Sequence, residues 1–316
     1  MAYIHILDVI TVLSPDMDLR IGTASWTDKT LIACGRFYPR EAKTPEARLR
    51  YYATQFPLVE VDSSYYAIAS PSNVQLWAER TPEDFVFNIK AFRLFTGHQT
   101  SPAVLHKDIQ DSLCGMPQQV FYYRELPSEI IDELWRRFID ALAPLKAAGK
   151  LGAVLFQFAP WVLRNRAGHA HVEECVRRMA GHTVAVEFRN RTWFDGEHAR
   201  STLAFERELG AVHVIVDAPQ GFDNSVPALW EVTRAELAML RLHGRNAASW
   251  NTKGLTASSG RFNYDYPEEE LAALVPKVLH TAEQVKRMHV IYNNNMEDQM
   301  QRNGRTMMRL LAKQMA

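Results

Sequence analysis

Glu187 and Arg189 stand two positions apart at the end of a short apolar run, Thr183–Glu187. If that run is a strand, both side chains point to the same side of it. A carboxylate and a guanidinium at the carboxyl end of a strand that feeds a helix lie where α/β barrels carry their sites. The same pattern recurs along the chain. Glu60 and Ser63 close a second run, Lys90 a third and Gln157 a fourth. Asp217 closes the sixth, Arg241 and His243 the seventh, and Asn293 and Asn294 the eighth. Tyr65 and Trp193 sit in adjoining loops, as do Trp26, Trp250 and Tyr264. Charge at the end of an apolar strand is unfavourable unless it is paired or used.

The residue types suggest one chemistry in particular. Lys90, Arg189 and Arg241 in one mouth would oppose a divalent metal and suit a phosphate or carboxylate, with arginine offering a planar fork. No metal or cofactor is therefore expected there. Glu187 or Asp217 would be general base, and His243 the acid or second base. Glu60, Ser63, Tyr65, Gln157, Trp193, Asn293 and Asn294 would complete the ligand contacts. Each also has a structural alternative. Glu187 with Arg189 could be a scaffold ion pair, Asp217 a turn cap, and His243 a satisfied core histidine.

These residues must be positioned by a repeated element. Apolar runs at Leu19–Thr23, Leu58–Val61, Phe85–Ile89, Gly152–Phe158, Thr183–Glu187, Val212–Val216, Ala238–Leu242 and His289–Tyr292 read as strands buried on both faces. Helical stretches alternate with nearly all of them. Thr44-Pro45 and Ser70-Pro71 are helix starts, and Gly210 is a stop. Helices are expected over Pro127–Ala148, His169–Ala180, Gly196–Leu209, Pro267–Arg287 and Asn303–Lys313. The expected fold is an α/β protein of the TIM-type (β/α)8 barrel class, xylose-isomerase-like. An open doubly wound sheet would want a glycine-rich phosphate turn after strand one, and Gly22-Thr23-Ala24-Ser25 is not one. Residues 1–18 read as an N-terminal extension, and 19–316 as one barrel domain. Residues 92–127 read as a long irregular loop, carrying Gly97-His98 and Gly115-Met116-Pro117, with His98 a solvated residue.

Composition bounds the partners. Lys plus Arg equals Asp plus Glu at 36 each, so the global field steers neither anions nor cations. Cys34, Cys114 and Cys175 are widely spaced with no metal-binding pattern, which suggests reduced thiols and a cytoplasmic protein. Tyr3–Leu13 is too short to span a bilayer and lacks signal-peptide features, so no membrane partner is expected. Oligomeric state is not readable.

Several ordered blocks resemble a known family. They are Ile21-Gly22-Thr23, Trp26 and Phe37-Tyr38-Pro39; Tyr51-Tyr52-Ala53, Phe56 and Val59-Glu60-Val61-Asp62-Ser63-Ser64-Tyr65-Tyr66; and Trp77, Thr81-Pro82, Phe85 and Lys90. Leu155-Phe156-Gln157-Phe158, Ala185-Val186-Glu187-Phe188-Arg189, Arg241-Leu242-His243-Gly244 and Asn293-Asn294 follow in the same order. The chain resembles the YecE-like family, a domain of unknown function, over about residues 19–312. The resemblance implies a TIM barrel and brings no catalytic assignment. The family's likeness in fold to apurinic endonucleases implies nucleic-acid binding by analogy alone. Three functions are thus carried forward. The first is a metal-independent enzyme acting on a small anionic or phosphorylated substrate. The others are a nucleic-acid-binding barrel, with the loop aromatics stacking bases, and a non-catalytic ligand-binding module.

Overall fold

The computed structural model describes residues 17–114, 119–252 and 258–315. The expected N-terminal extension, apart from its last two residues, and the Gly115-Met116-Pro117 turn lie outside the described residues. Eight parallel strands close into a barrel in chain order. They are β1 (Asp18–Ala24), β2 (Leu58–Val61), β3 (Val86–Lys90), β4 (Leu151–Gln157), β5 (Val184–Glu187), β6 (Val212–Asp217), β7 (Ala238–Leu242) and β8 (Arg287–Tyr292). Closure pairs β1 with β8, Asp18 beside Arg287 through Thr23 beside Tyr292. Nearly every strand residue is buried, because helices cover the outside while side chains fill the inside.

The helices are α1 (Lys29–Cys34), α2 (Pro45–Ala53), α3 (Ser63–Tyr66), α4 (Pro71–Glu79), α5 (Lys107–Ser112), α6 (Ser128–Ala147), α7 (Arg166–Arg178), α8 (His198–Glu208), α9 (Glu268–Ala282) and α10 (Gln299–Met315). Local chemistry sets their starts. Thr44 accepts from the Ala47 N–H at 3.0 Å and Ser70 from the Asn73 N–H at 3.2 Å, each followed by proline in the first turn. Helix α10 packs Met300, Met307, Met308 and Leu311 inward. Gly304 lets it approach the turn between α2 and β2, because a Cβ there would stand 2.9 Å from the Phe56 ring. No helix among the described residues is long and apolar enough to cross a membrane.

The β6–β7 crossing, residues 218–237, contains no helix, in keeping with Pro219, Gly221 and Pro227, and none is expected there from the sequence. Two expectations are corrected. The helix expected over Pro267–Arg287 ends at Ala282, and Arg287 already belongs to β8. The excursion after β3 is more ordered than a loop. It holds α5, two short 3-10 turns and an antiparallel bridge between Thr100 and Phe121.

The barrel axis is polar at both ends. Toward the amino end, Asn88 Oδ1 accepts from the Ala153 N–H at 2.9 Å and stands 3.1 Å from His289 Nδ1. Gly152 leaves room for that amide, since a Cβ there would lie 2.4 Å from Asn88 Oδ1. Toward the carboxyl end, the axis is closed by ion pairs.

Candidate functional site

Strand parity sorts the residues that the sequence assembles. In a parallel sheet, register partners share a face. Glu60 is beside Asn88, Gln157 beside Glu187, and Arg241 beside Val216 and Ile291. These side chains point to the axis. Asp217 is beside Leu242, one residue out of phase, and so points away from it. Asn294 is likewise out of phase with Asn293.

The inward carboxylates and Arg241 form an ionic floor. Arg241 is fully buried and holds Glu60 with a fork, Nη2 to Oε1 at 2.5 Å and Nε to Oε2 at 3.1 Å. Its Nη1 donates to Glu187 Oε2. Glu187 Oε1 accepts from Gln157 Nε2 at 2.6 Å, Arg189 Nη1 at 2.9 Å and His243 Nε2 at 3.1 Å. Asn293 Nδ2 donates to His243 Nδ1 at 2.8 Å, which leaves the Nε2–H to point at Glu187. Burial pulls the Glu187 carboxyl upward, but Arg241, His243 and Arg189 outweigh it and hold the group well below the usual carboxylate range. Burial holds His243 down at about 4, so it is neutral at pH 7. Burial pushes Glu60 up to about 7 against the pull of Arg241.

Above this floor is a cavity of about 190 Å³. Lys90, Gln157, Arg189 and Asn293 line it, together with Asp62, Tyr65, His98 and Arg261. Lys90 Nζ lies 3.3 Å from Asp62 Oδ1 and 4.8 Å from the Tyr65 ring centre. The Arg189 guanidinium sits 4.9 Å over Trp250, whose indole N–H donates to Asn224 at 3.0 Å. Arg261 has no ion-pair partner among the described residues, and its Nε is buried without a hydrogen bond.

His98 is part of this wall, not a solvated loop residue. The Thr96 hydroxyl donates to the Arg93 carbonyl at 3.0 Å, so its oxygen is left to accept from His98 Nδ1, also at 3.0 Å. That network assigns the proton to Nδ1 and leaves Nε2 as an acceptor. Burial, then Lys90, Arg93 and Arg189, hold His98 down at about 3.

Four expected site residues lie elsewhere. Asp217 faces a neighbouring cavity, where Arg245 Nη2 binds it at 2.7 Å and the Tyr266 hydroxyl at 2.7 Å. Asn294 Nδ2 is committed to the Tyr264 carbonyl and Asn303, at 2.7 Å each. Trp193 is buried on the helix side, stacked 3.9 Å from Phe188, with its N–H on the Val162 carbonyl. Ser63 is exposed at the first turn of α3 and does not line the cavity. Glu60, Glu187, Arg241 and His243 are near the cavity but below it, with their polar atoms spent on one another. Trp26 and Trp250 are buried as well. Sequence reasoning missed Arg261, Asp62 and Asn295, all three of which line the cavity. Arg261 follows no strand and carries no spacing signal, whereas Asp62 directly follows β2 and was readable. Among the described residues, no three His, Cys, Asp or Glu side chains are grouped to hold a metal ion.

The family described as "Protein of unknown function DUF72" matches residues 20–316. A Bacillus subtilis (strain 168) relative, UPF0759 protein YunF, is 31% identical over 293 residues, covering 92% of this chain and 94% of the relative. A solved DUF72 family protein of Enterococcus faecalis V583 superposes with a TM-score of 0.74 at 28% identity, over 93% of this chain and 95% of that one. Another, from Thermotoga maritima MSB8, gives 0.71 at 25% identity, over 93% and 99%.

Proposed function

The chain belongs to the DUF72 family of proteins of unknown function, and we propose that its barrel mouth is a metal-independent site for a small phosphorylated or carboxylated molecule. The observation that carries this reading is the convergence of Lys90, Arg189 and Arg261 on one cavity whose lining holds a single carboxylate, Asp62. Two guanidiniums and an ammonium offer charge-assisted hydrogen bonds to anionic oxygens. At about 190 Å³ the cavity is a little larger than the ~150 Å³ that accommodates benzene, and so suits a head group with a small body.

His98 is the group that moves a proton in this reading. Its Nε2 is unprotonated and unengaged, and it is the imidazole that lines the cavity. Glu187 and His243 act as positioning residues, because every lone pair they would need for proton transfer is occupied. Glu60 and Glu187 are the natural metal ligands of such a mouth, and Arg241 already bridges both. A base-stacking surface would need open aromatic faces, and the burial of Trp26, Trp193 and Trp250 favours a small molecule over a nucleic-acid strand.

Calorimetric titration with inorganic phosphate tests the reading. Lys90→Met and Arg261→Gln should each weaken binding by about 1.5–3 kcal/mol, the value of a hydrogen bond to a charged group. Absence of phosphate or sulfate binding, or affinity unchanged in both variants, would overturn it.

A further inference from the structure

Beside the charged cavity lies a second, apolar groove of about 280 Å³. The two share a thin wall. His98 and Pro160 line the cavity, while their chain neighbours Gly97 and Trp161 line the groove. A run of edge-to-face rings crosses that wall. Tyr65 lies 5.4 Å from His98, His98 lies 5.4 Å from Trp161, and Trp161 lies 6.4 Å from Tyr122.

The groove is open yet held in shape. Trp161 is 54% exposed, but its indole N–H donates to the Gly97 carbonyl at 2.8 Å. Gly168 lets the backbone close up beneath, since a Cβ there would lie 1.9 Å from the Leu163 carbonyl oxygen. Gly97, at a φ of 84°, would otherwise drive a Cβ to 2.8 Å from Val162. Tyr122, Trp161 and Leu163 are among the few large apolar side chains left exposed among the described residues, and they gather on this groove. Clustered exposed apolar surface marks a binding site far more often than scattered residues do.

We infer that the ligand of the mouth is an amphipathic organic anion, whose head meets Lys90, Arg189 and Arg261 and whose apolar body crosses His98 into the groove beneath Trp161. This rests on the anion reading of the cavity and adds the class of molecule. One small molecule is the occupant that continuity selects. The groove is concave and adjoins the charged cavity across the His98–Trp161 wall, close enough for one molecule lying over that wall to reach both, and a flat protein surface fills neither.

The test is a titration of the full chain with inorganic phosphate, then methyl, butyl, hexyl and octyl phosphate, with the matching carboxylates in parallel. Affinity should rise with chain length by up to about fourfold per buried methylene (about 0.8 kcal/mol) once the chain passes His98. Trp161→Ala and, separately, Leu163→Ser should remove that rise and leave inorganic phosphate binding within about twofold. Both residues are surface-exposed, and urea unfolding checks that the variants remain folded. The parallel series tells which head group the site prefers. If inorganic phosphate binds through Lys90 and Arg261 but longer esters gain nothing, the inference fails and the anion reading stands. A gain that survives both groove variants, or an octyl phosphate affinity that Lys90→Met and Arg261→Gln leave unchanged, also defeats it. If neither phosphate nor any ester binds, the anion reading fails first.

Discussion

Arg241 and Arg189 are both arginines bonded to Glu187, yet their removal should cost very different amounts of stability. Arg241 is the only hydrogen-bond partner of the Glu60 carboxylate among the described residues, and both side chains are fully buried. Arg241→Met therefore strands a carboxylate in the barrel axis, which should reduce stability by about 3–5 kcal/mol. That is a large share of the ~5–15 kcal/mol that folded domains possess. Arg189→Ala leaves Glu187 with Gln157 at 2.6 Å, His243 at 3.1 Å and Arg241. Its loss should be nearer one charged hydrogen bond, about 1.5 kcal/mol. The stranded Glu60 can escape by taking a proton. Burial already raises it to about 7 from an ordinary 4.5. Between those values the folded protein binds more protons than the unfolded chain, so stability gained from this group rises as pH falls. Without Arg241, which holds it down, the variant's Glu60 should titrate higher still, so the Arg241→Met deficit should shrink by up to about 1.4 kcal/mol per pH unit from pH 8 to about 7, below which the wild-type group takes up its own proton. Adding Glu60→Gln should recover much of the loss at pH 8 and flatten its pH dependence. Urea unfolding of wild type, both single variants and the double variant measures all of this. An Arg241→Met loss under about 1 kcal/mol, or one equal to that of Arg189→Ala, refutes the ionic-floor argument.

Further outcomes follow from the same geometry. Asp217→Asn should leave anion affinity within about twofold while disturbing stability, since Arg245 and Tyr266 are its partners; titration and unfolding read the two effects separately. His98, His243 and His289 are held down at about 3, 4 and 3 against an ordinary 6.5. The unfolded chain thus takes up protons below pH 6.5 that the folded protein refuses, so stability present at neutral pH should fall between pH 6.5 and 4, a trend for urea midpoints to check. Phosphate in the mouth should raise the His98 titration point, because it offsets Lys90 and Arg189; imidazole NMR with and without phosphate tests this, and no shift would place the anion elsewhere. Gly168→Ala should reduce stability by about 1–3 kcal/mol through its clash with the Leu163 carbonyl.

The barrel was legible because its strands are apolar runs of the right length ending in polar residues. Caps such as Thr44 and Ser70 announced their helices through one side-chain oxygen each. Helix α7 starts at Arg166, ahead of the expected His169, because Asn165 takes the same capping role with the Gly168 N–H at 2.8 Å. The site was legible only up to parity. A strand end tells which rim a residue reaches, but facing the axis or the helices depends on register, which pairing with neighbours decides. Glu60, Lys90, Gln157, Glu187, Arg241 and Asn293 fell on the axial side; Asp217 and Asn294 fell on the other. Arg261 was invisible for another reason. It arrives from the connection between β7 and α9, and nothing local in its sequence says that the connection folds back over the mouth.

Charge accounting around the axis explains why Arg261 matters more than its place in the chain suggests. Arg241, Arg189 and Lys90 face Glu60, Glu187 and Asp62, three cations against three carboxylates, each cation within ion-pair distance of at least one of them. That set cancels, and a neutral but polar mouth would show little preference for anions. Arg261 is the remainder, one positive charge with no ionic partner among the described residues, facing the same cavity. A ligand carrying a single negative charge completes the balance. A dianion exceeds it by one, and two groups can absorb the excess by binding a proton: His98, held down by the cations the ligand would offset, and Glu60, already raised toward neutrality. Under the proposed anion reading, the mouth would take one anionic charge directly and a second together with a proton. Proton transfer to or from the ligand then requires no further charged group than those already facing the cavity.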